Sequence, residues 1–472
     1  MLETRSFTMP ARLEPDDLFL VLLALSDSGW TPAFLESQRS LIRMAGVTEY
    51  RVLSSIRSSE MARRRYPFET GGDIFFRDKD MYYVVTTGTE MAVDPSGRPV
   101  YRVEESQQPV LEVGIISPES AEIEARLREF ASAVEAAIKS KVDGRKTRHM
   151  SFEWSEKKPG TPRLDKLTGE VEKGVEKYFG RASLQPEEVD AANALTNKIA
   201  RDTLIEISQA GFARQRDILN RKSKQQSDIQ ATIASLSQVG LLNTEYLLEC
   251  RQTGAPLTRL KDLERLKSPE VGSLVCGACG SEFRKENINE GYSLTDLGKR
   301  LSRQSHWMTV WITKILTETG VPESNILWNL SETGEEVDLL VEFMGQLWIF
   351  ELKDREFGSG DAHPLNYRQV RYRATNAIVV TTEHVSKDAK RVFTELARES
   401  QLRRPVSNRE PIYIEGLDSA VAVLKREIAR VALQYAVRRL NVLGELSGYD
   451  LNVLLNARYG EQVETSLRDS EE

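Results

Sequence analysis

Residues 335–356 read EEVDLLVEFMGQLWIFELKDRE. Gly345 divides this stretch into two runs of strand-forming residues, which predicts a β-hairpin. In the first run Val337, Leu339 and Val341 alternate with Glu336, Asp338 and Leu340. In the second, Trp348, Phe350 and Leu352 alternate with Ile349, Glu351 and Lys353. So many apolar residues mark a central strand, where a carboxylate or an ammonium is costly without a partner. Pairing through Met344 and Gly345 sets Asp338 opposite Glu351 or one position from it, and Glu351 and Lys353, two apart, share a face. The three charged groups are therefore expected to converge at the strand ends.

That convergence has a chemical use. Two carboxylates with a backbone carbonyl are hard oxygen ligands suited to Mg²⁺ (or Mn²⁺), Asp338 and Glu351 being the metal ligands. Lys353 would orient or help deprotonate an attacking water and neutralise charge that develops on phosphorus-bound oxygens. Hydrolysis of a phosphodiester is the expected reaction. A bland reading also exists, in which Glu351 and Lys353 form an edge-strand ion pair of little energetic weight.

Asp338, a spacer of twelve residues and then Glu351-Leu352-Lys353 resembles the PD-(D/E)XK nuclease superfamily, although Val337 stands where the proline of the motif's name would be. The resemblance covers about residues 300 to 400. It implies a restriction-endonuclease-like αβββαβ core: helix Ser305 to Thr319, strand Asn325 to Leu330, the hairpin, a helix around Leu365 to Ala374, strand Ala377 to Glu383 and a closing helix Lys387 to Ser400. Gln369 matches the position of an active-site glutamine in many members, while the first helix lacks the early glutamate that some members use. Arg368, Arg371 and Arg373 are expected to contact backbone phosphates, after a flexible bend at Gly358-Ser-Gly360. Asp361 and His363 would lie beside the site, with Asp361 also placed to cap the helix. The resemblance implies a Mg²⁺-dependent endonuclease acting on DNA, in a layout that suits antiviral defence against foreign DNA.

The chain as a whole reads as a multidomain α+β and α/β protein, since 472 residues exceed the ceiling for one core. Residues 1–118 form an N-terminal α+β domain, with helical spacing from Asp16 to about Arg57, strands from Asp73 to Ile116 and a turn at Asp94-Pro-Ser-Gly. Residues 119–210 contain the helix Glu119 to Lys141, a polar linker Lys141 to Lys166 that holds His149, and helices from Pro186 onward. Residues 211–301 resemble a winged-helix module: a helix, the Gly240 stop and a following strand run from Gln226 to Cys250, and a strand-and-helix phrase from Tyr292 to Leu301. Ahead of it Arg214, Arg216, Arg221, Lys222 and Lys224 face one acid, Asp217, an edge suited to phosphates or simply a solvated helix. Winged helices serve as protein-interaction modules as well. Residues 302–415 are the nuclease-like domain. Residues 416–472 add helices, whose periodicity from Leu417 to Tyr459 fits core packing or a homo-oligomer interface equally, and an acidic tail.

Cys276-Gly-Ala-Cys279-Gly280 has the form of a zinc-ribbon knuckle, in which two thiolates grip one metal and the glycine permits the turn. Cys250-Arg-Gln-Thr253-Gly254 repeats that spacing with threonine in place of the second cysteine. Two outcomes stay open: a structural Zn²⁺ on Cys250, Cys276 and Cys279 with an outside donor such as His306, or a ribbon that folds without metal.

A net charge of −7 argues against wholesale polyanion binding, so a nucleic-acid site must be a patch. The apolar run Leu18 to Leu25 is too short to span a bilayer and lacks a basic leader, which predicts a cytoplasmic chain without membrane contact. Nucleic acid, most naturally DNA, is the expected partner, beside a regulatory protein or a second copy of the chain. The competing classes are a ribonuclease using the same site and a non-catalytic DNA-binding protein that keeps a relic nuclease fold.

Overall fold

The computed structural model describes residues 2–11, 13–35, 71–87, 91–93, 99–101, 110–148, 150–157, 160–171, 180–221, 226–332, 335–403, 410–447 and 451–468. It is a mixed α+β protein with several sheets. Among the described residues, no helix is long and apolar enough to cross a membrane.

The N-terminal sheet has six strands in the spatial order Thr31–Pro32, Gly71–Arg77, Asp80–Thr87, Val110–Ser117, Glu3–Pro10 and Ser155–Glu156. All its pairings are antiparallel. Helices Pro15–Asp27 and Ile123–Lys141 cover one face, burying Leu22, Leu25, Leu127, Phe130 and Val134 against Phe75, Val84 and Val113. The first helix ends at Asp27; the rest of the helical spacing expected to Arg57 lies mostly in residues 36–70, which like the turn at 94–97 are outside the described residues. The opposite face, with Ile74, Met81 and Tyr83, receives Leu440, Leu443, Leu455 and Tyr459 from the C-terminal helices Ala420–Ser447 and Leu451–Arg468. Tyr83 fits over Gly114, where an added Cβ would come within 2.1 Å of the ring.

The polar run expected to be a linker is docked at both ends. Ser155–Glu156 adds an edge strand to the N-terminal sheet, and helix Pro162–Val171 sets Leu164 into the C-terminal core. The Arg163 and Leu164 amides both donate at 3.0 Å to buried Glu342, a carboxylate meeting the orphan donors of a helix N-terminus.

A four-stranded sheet follows, in the order Ala213–Arg214, Asn287–Leu294, Leu242–Glu249 and Pro256–Leu260, with helices Lys198–Ala210, Gln215–Arg221 and Gln226–Gln238 packed beside it. Gly240 at φ +76° turns the last of these helices into the Leu242–Glu249 strand. Leu204, Ile233, Leu236 and Leu294 of this module share one core with Trp307, Trp348 and Phe350.

The C-terminal sheet runs Ile412–Glu415, Asn376–Thr381, Gln346–Lys353, Glu335–Phe343, Ile326–Glu332 and Gly180–Arg181. The three strands at the Ile412 end pair in parallel and the others are antiparallel. Leu339, Val341, Trp348, Phe350 and Val380 face helix His306–Glu318 and the start of helix Ala420–Ser447. Leu340, Leu347, Ile349 and Val379 face Leu365 of helix Ser359–Arg371 and Phe393 of helix Lys387–Arg403. Helix Ser359–Arg371 begins six residues earlier than its pattern predicts and accommodates Pro364 in its first two turns, so Gly358-Ser-Gly360 is the helix entry and not a free bend.

Candidate active site

Strict alternation fails at one place in this sheet. Leu339 and Val341 belong to the same layer, yet Val337 lies in the opposite one, with Leu340. The neighbouring strand changes sides in step: Trp328 packs with the first layer, whereas Leu327 and Leu330, three apart, both lie in the second. Pairing between the two strands is interrupted between Trp328–Leu339 and Leu330–Val337, where Asn329 at φ +50° stands across from Asp338. This corrects the expectation that Val337, Leu339 and Val341 share a face. The physical reason is a paired kink, stabilised by a 3.2 Å contact between Asn329 Nδ2 and His306 Nδ1.

At the same level the hairpin parts. Its ladder runs from Phe343–Gln346 to Leu339–Phe350 and ends there, one step before Asp338 would meet Glu351. The Asp338 carboxylate turns into the gap and accepts the Leu352 amide at 2.6 Å. Burial, and then the charge of Glu351, push the Asp338 carboxyl up to about 8.

Glu351 is 3% exposed. One oxygen accepts Lys353 Nζ at 2.8 Å and the other accepts the Arg368 guanidinium. Burial pulls the Lys353 ammonium down, but Glu351 and Asp338 outweigh it and leave the group above its ordinary value. Lys353 is therefore a charged donor at neutral pH.

Helix Ser359–Arg371 thus supplies a second cation to the site. Arg368, expected at a phosphate-facing surface, points inward and neutralises Glu351. Gln369 is buried beside it in sequence, with its amide nitrogen unpartnered among the described residues. Arg371 is exposed and lies over the Tyr372 ring at 5.8 Å, and Arg373 is exposed, its carbonyl accepting from Arg163. Asp361 sits in the first turn of the helix, accepting the Gly358 amide at 3.0 Å and both Arg355 guanidinium nitrogens at 2.8 Å. His363 is exposed, and His384 lies 3.5 Å from Glu356.

Asp338, Leu352 and Lys353 open onto a cleft of about 410 Å³ that also presents Arg201, Gln304 and Trp307. Arg201, from helix Lys198–Ala210, pairs with Asp354 at 3.0 Å and lies over the Trp307 ring at 5.2 Å. The Leu195 and Thr196 carbonyls hold the same guanidinium. Nothing in the local sequence around Arg201 marks it, because the contact joins segments some 150 residues apart (Arg201 to Asp354).

In the described part of the basic edge ahead of the four-stranded sheet, both arginines pair with acids. Arg214 pairs with Asp217 and Glu249, and Arg216 with the same two acids. Lys222, Lys224 and the Arg221 side chain lie outside the described residues, as does His149.

Two hard carboxylates, one of them, Asp338, held protonated to a higher pH in part by the charge of Glu351, fit Mg²⁺ or Mn²⁺, since a divalent ion at Asp338 and Glu351 would offset that repulsion. Lys353 and Arg368 supply the compensating positive charge at Glu351.

No family model matches the chain, and no curated protein matches it. Among solved structures it is similar to protein VC1899 from Vibrio cholerae, at 11% identity over 55% of this chain and 59% of that chain, with a TM-score of 0.28. The match spans less than two thirds of VC1899, and so slight a likeness carries no weight for fold or chemistry.

Proposed function

We propose that the chain is a Mg²⁺-dependent endonuclease that hydrolyses phosphodiester bonds of DNA, with a PD-(D/E)XK-like site on a restriction-endonuclease-like core. The observation that carries this reading is the parted hairpin: Asp338 turned into the gap, Glu351 and Lys353 side by side on the neighbouring strand, and a cleft lined by Asp338 and Lys353. An ordinary edge-strand ion pair explains neither a 3% exposed carboxylate nor a kink shared by two strands.

When bound by Asp338 and Glu351, the metal would supply Lewis acidity toward a phosphate oxygen and acidify a water. The residues do the rest. Lys353, kept cationic, donates to a nonbridging oxygen and offsets the charge that grows in the transition state. Glu351 anchors that ammonium at 2.8 Å, so its position requires no reorganisation as charge develops. Arg201 fixes Asp354, the residue after the lysine, and so stiffens the open strand end against the helical module.

The module with strand order Ala213, Asn287, Leu242, Pro256 serves as a winged-helix-like unit that positions nucleic acid or a regulatory partner. The exposed positions of its helix Gln226–Gln238, such as Gln230, Ala234, Ser235 and Gln238, carry no cation, which favours the partner role for that face.

A cleavage panel tests the proposal. The full chain with Mg²⁺ is expected to cut plasmid DNA, and Asp338→Asn and Lys353→Ala to lose that activity. Variants that cut as well as the parent would remove the assignment, and cleavage confined to RNA would make the same site that of a ribonuclease. A chain that binds DNA without cutting any nucleic acid would be the non-catalytic alternative.

A further inference from the structure

The second cluster of chemistry-bearing side chains lies in the four-stranded module, away from the cleft. Cys250 ends the Leu242–Glu249 strand, and Cys276 and Cys279 lie in the segment leading to the Asn287–Leu294 strand. All three are free thiols, and the first two are buried. Their sulfurs and a Glu286 carboxylate oxygen all lie within 4.8 Å of one another.

The two turns that bring them together are built alike. The Cys250 amide donates to the Ala255 carbonyl at 2.8 Å and the Gly254 amide to the Cys250 carbonyl at 2.7 Å. In the second turn the Cys276 amide donates to the Ser281 carbonyl at 2.8 Å and the Gly280 amide to the Cys276 carbonyl at 2.8 Å. Gly254 and Gly280 have φ of +70° and +71°, the left-handed region that glycine enters without penalty. Thr253 stands where the repeat would place its second cysteine, and Glu286 fills the donor set from another direction.

Glu286 has a second signature. It is 6% exposed, and its oxygens meet the Arg251 amide at 2.7 Å and the Cys279 thiol at 2.8 Å, neither of them a formal cation. The Arg251 charge acts on it from beyond direct contact, and a carboxylate set directly against two thiols suits a metal ion as its close positive partner. The lobe around it also has a small core of its own, with Leu248, Leu260 and Leu266 its buried members. Segments below about 40 residues usually need a metal or disulfides to hold a fold.

We propose that Cys250, Cys276, Cys279 and Glu286 bind one structural Zn²⁺ that staples the Leu242–Leu260 hairpin to the start of the Asn287 strand. The fourth donor is Glu286 and not His306, which instead contacts Asn329 and packs edge-on against Trp328 at 5.5 Å. Three thiolates and a carboxylate give the closed tetrahedral set of a structural site, and loading releases the thiol protons. This inference stands apart from the nuclease reading.

Metal analysis of the full chain, purified without chelator, tests it. One zinc per chain is expected, and Co²⁺ in its place should show a thiolate-to-metal charge-transfer band. Glu286→Gln should weaken zinc binding, read by competition with a chromophoric chelator, by roughly the 10–100-fold that loss of a supporting group costs, or more. Adding Thr253→Cys to Glu286→Gln should restore affinity, because it completes the repeated turn. A parent chain that neither carries nor takes up zinc overturns the site, and unchanged affinity in Glu286→Gln overturns its ligand set. Failure of the Thr253→Cys rescue would show that the two turns do not converge on one ion, and would overturn it equally.

Discussion

Asp338 Oδ2 accepts the Leu352 amide at 2.6 Å across a hairpin whose ladder has already ended at Leu339 and Phe350. A side chain thus closes the gap that a backbone carbonyl leaves. The same side chain is the one whose proton affinity is raised most clearly at this site.

Asp338→Asn keeps an acceptor for that amide and removes the ionisation. The parent carboxyl stays neutral in the folded chain up to about 8 but ionises near 4 when unfolded, so its ionisation opposes folding increasingly as pH rises between those values. In chelator, Asp338→Asn should therefore be more stable than the parent at pH 8 and above and close to it at pH 4, as read by thermal melts. With Mg²⁺ restored in place of chelator, the parent should cleave DNA and the variant should not. A variant less stable at every pH would show that the carboxylate is not penalised by its surroundings.

Arg368 and Lys353 both neutralise Glu351. Removing one partner of a buried ion pair costs about 3–5 kcal/mol, so Arg368→Met should unfold at distinctly lower urea concentration in chelator. Mg²⁺ should recover much of the loss, because the ion takes over the guanidinium's charge balance at Glu351. Equal destabilisation with and without Mg²⁺ would separate Arg368 from the metal site.

In the N-terminal sheet, Asp73 accepts the Phe34 amide at 3.0 Å and the Ile74 amide at 2.7 Å through Oδ1, while Oδ2 is buried and unpartnered among the described residues. Burial pushes this carboxyl up to about 7. Folded above its unfolded value, it costs stability as pH rises from about 4 to 7, with a slope of up to about 1.4 kcal/mol per pH unit. Asp73→Asn should flatten the stability profile across that window. An unchanged slope in paired denaturation curves would remove the assignment.

Helix Ala420–Ser447 joins two cores: Leu424 and Ile428 pack on the C-terminal sheet, and Leu440 and Leu443 on the N-terminal sheet. Where it meets the N-terminal sheet, Arg439 pairs with buried Glu112, which also accepts Tyr83 Oη at 3.0 Å. Burial pushes the Glu112 carboxyl up, but Arg439 and Lys157 outweigh it and hold it below the usual range. Arg439→Met should cost roughly 3–5 kcal/mol, and adding Glu112→Gln should return a large part of it. A purely additive double variant would show that the two side chains are not coupled.

Much of the site's local chemistry is legible in residues 335–356. Two-residue alternation alone sets Glu351 and Lys353 on one face, and Gly345 alone predicts the turn, because both depend on backbone geometry within a few residues. The repeated cysteine turns are legible for the same reason. The kink at Asn329 and Asp338 was not, since it is a compromise between two strands and the helix that carries His306. The alternation of either strand read singly predicts no change of layer.

Partners far apart in the chain belonged to tertiary structure. Arg368 looked like a surface cation and turned out to serve Glu351; Arg201 had no local mark and locks Asp354; Glu286 lay outside the cysteine spacing and joins its cluster. Residue type and period determined which side chains this protein could bring to a strand end, because those follow from the geometry of one segment. Which of them meet, and which charge each carries, was decided by packing, because burial and opposing charges arise only when distant segments exclude water from the same place.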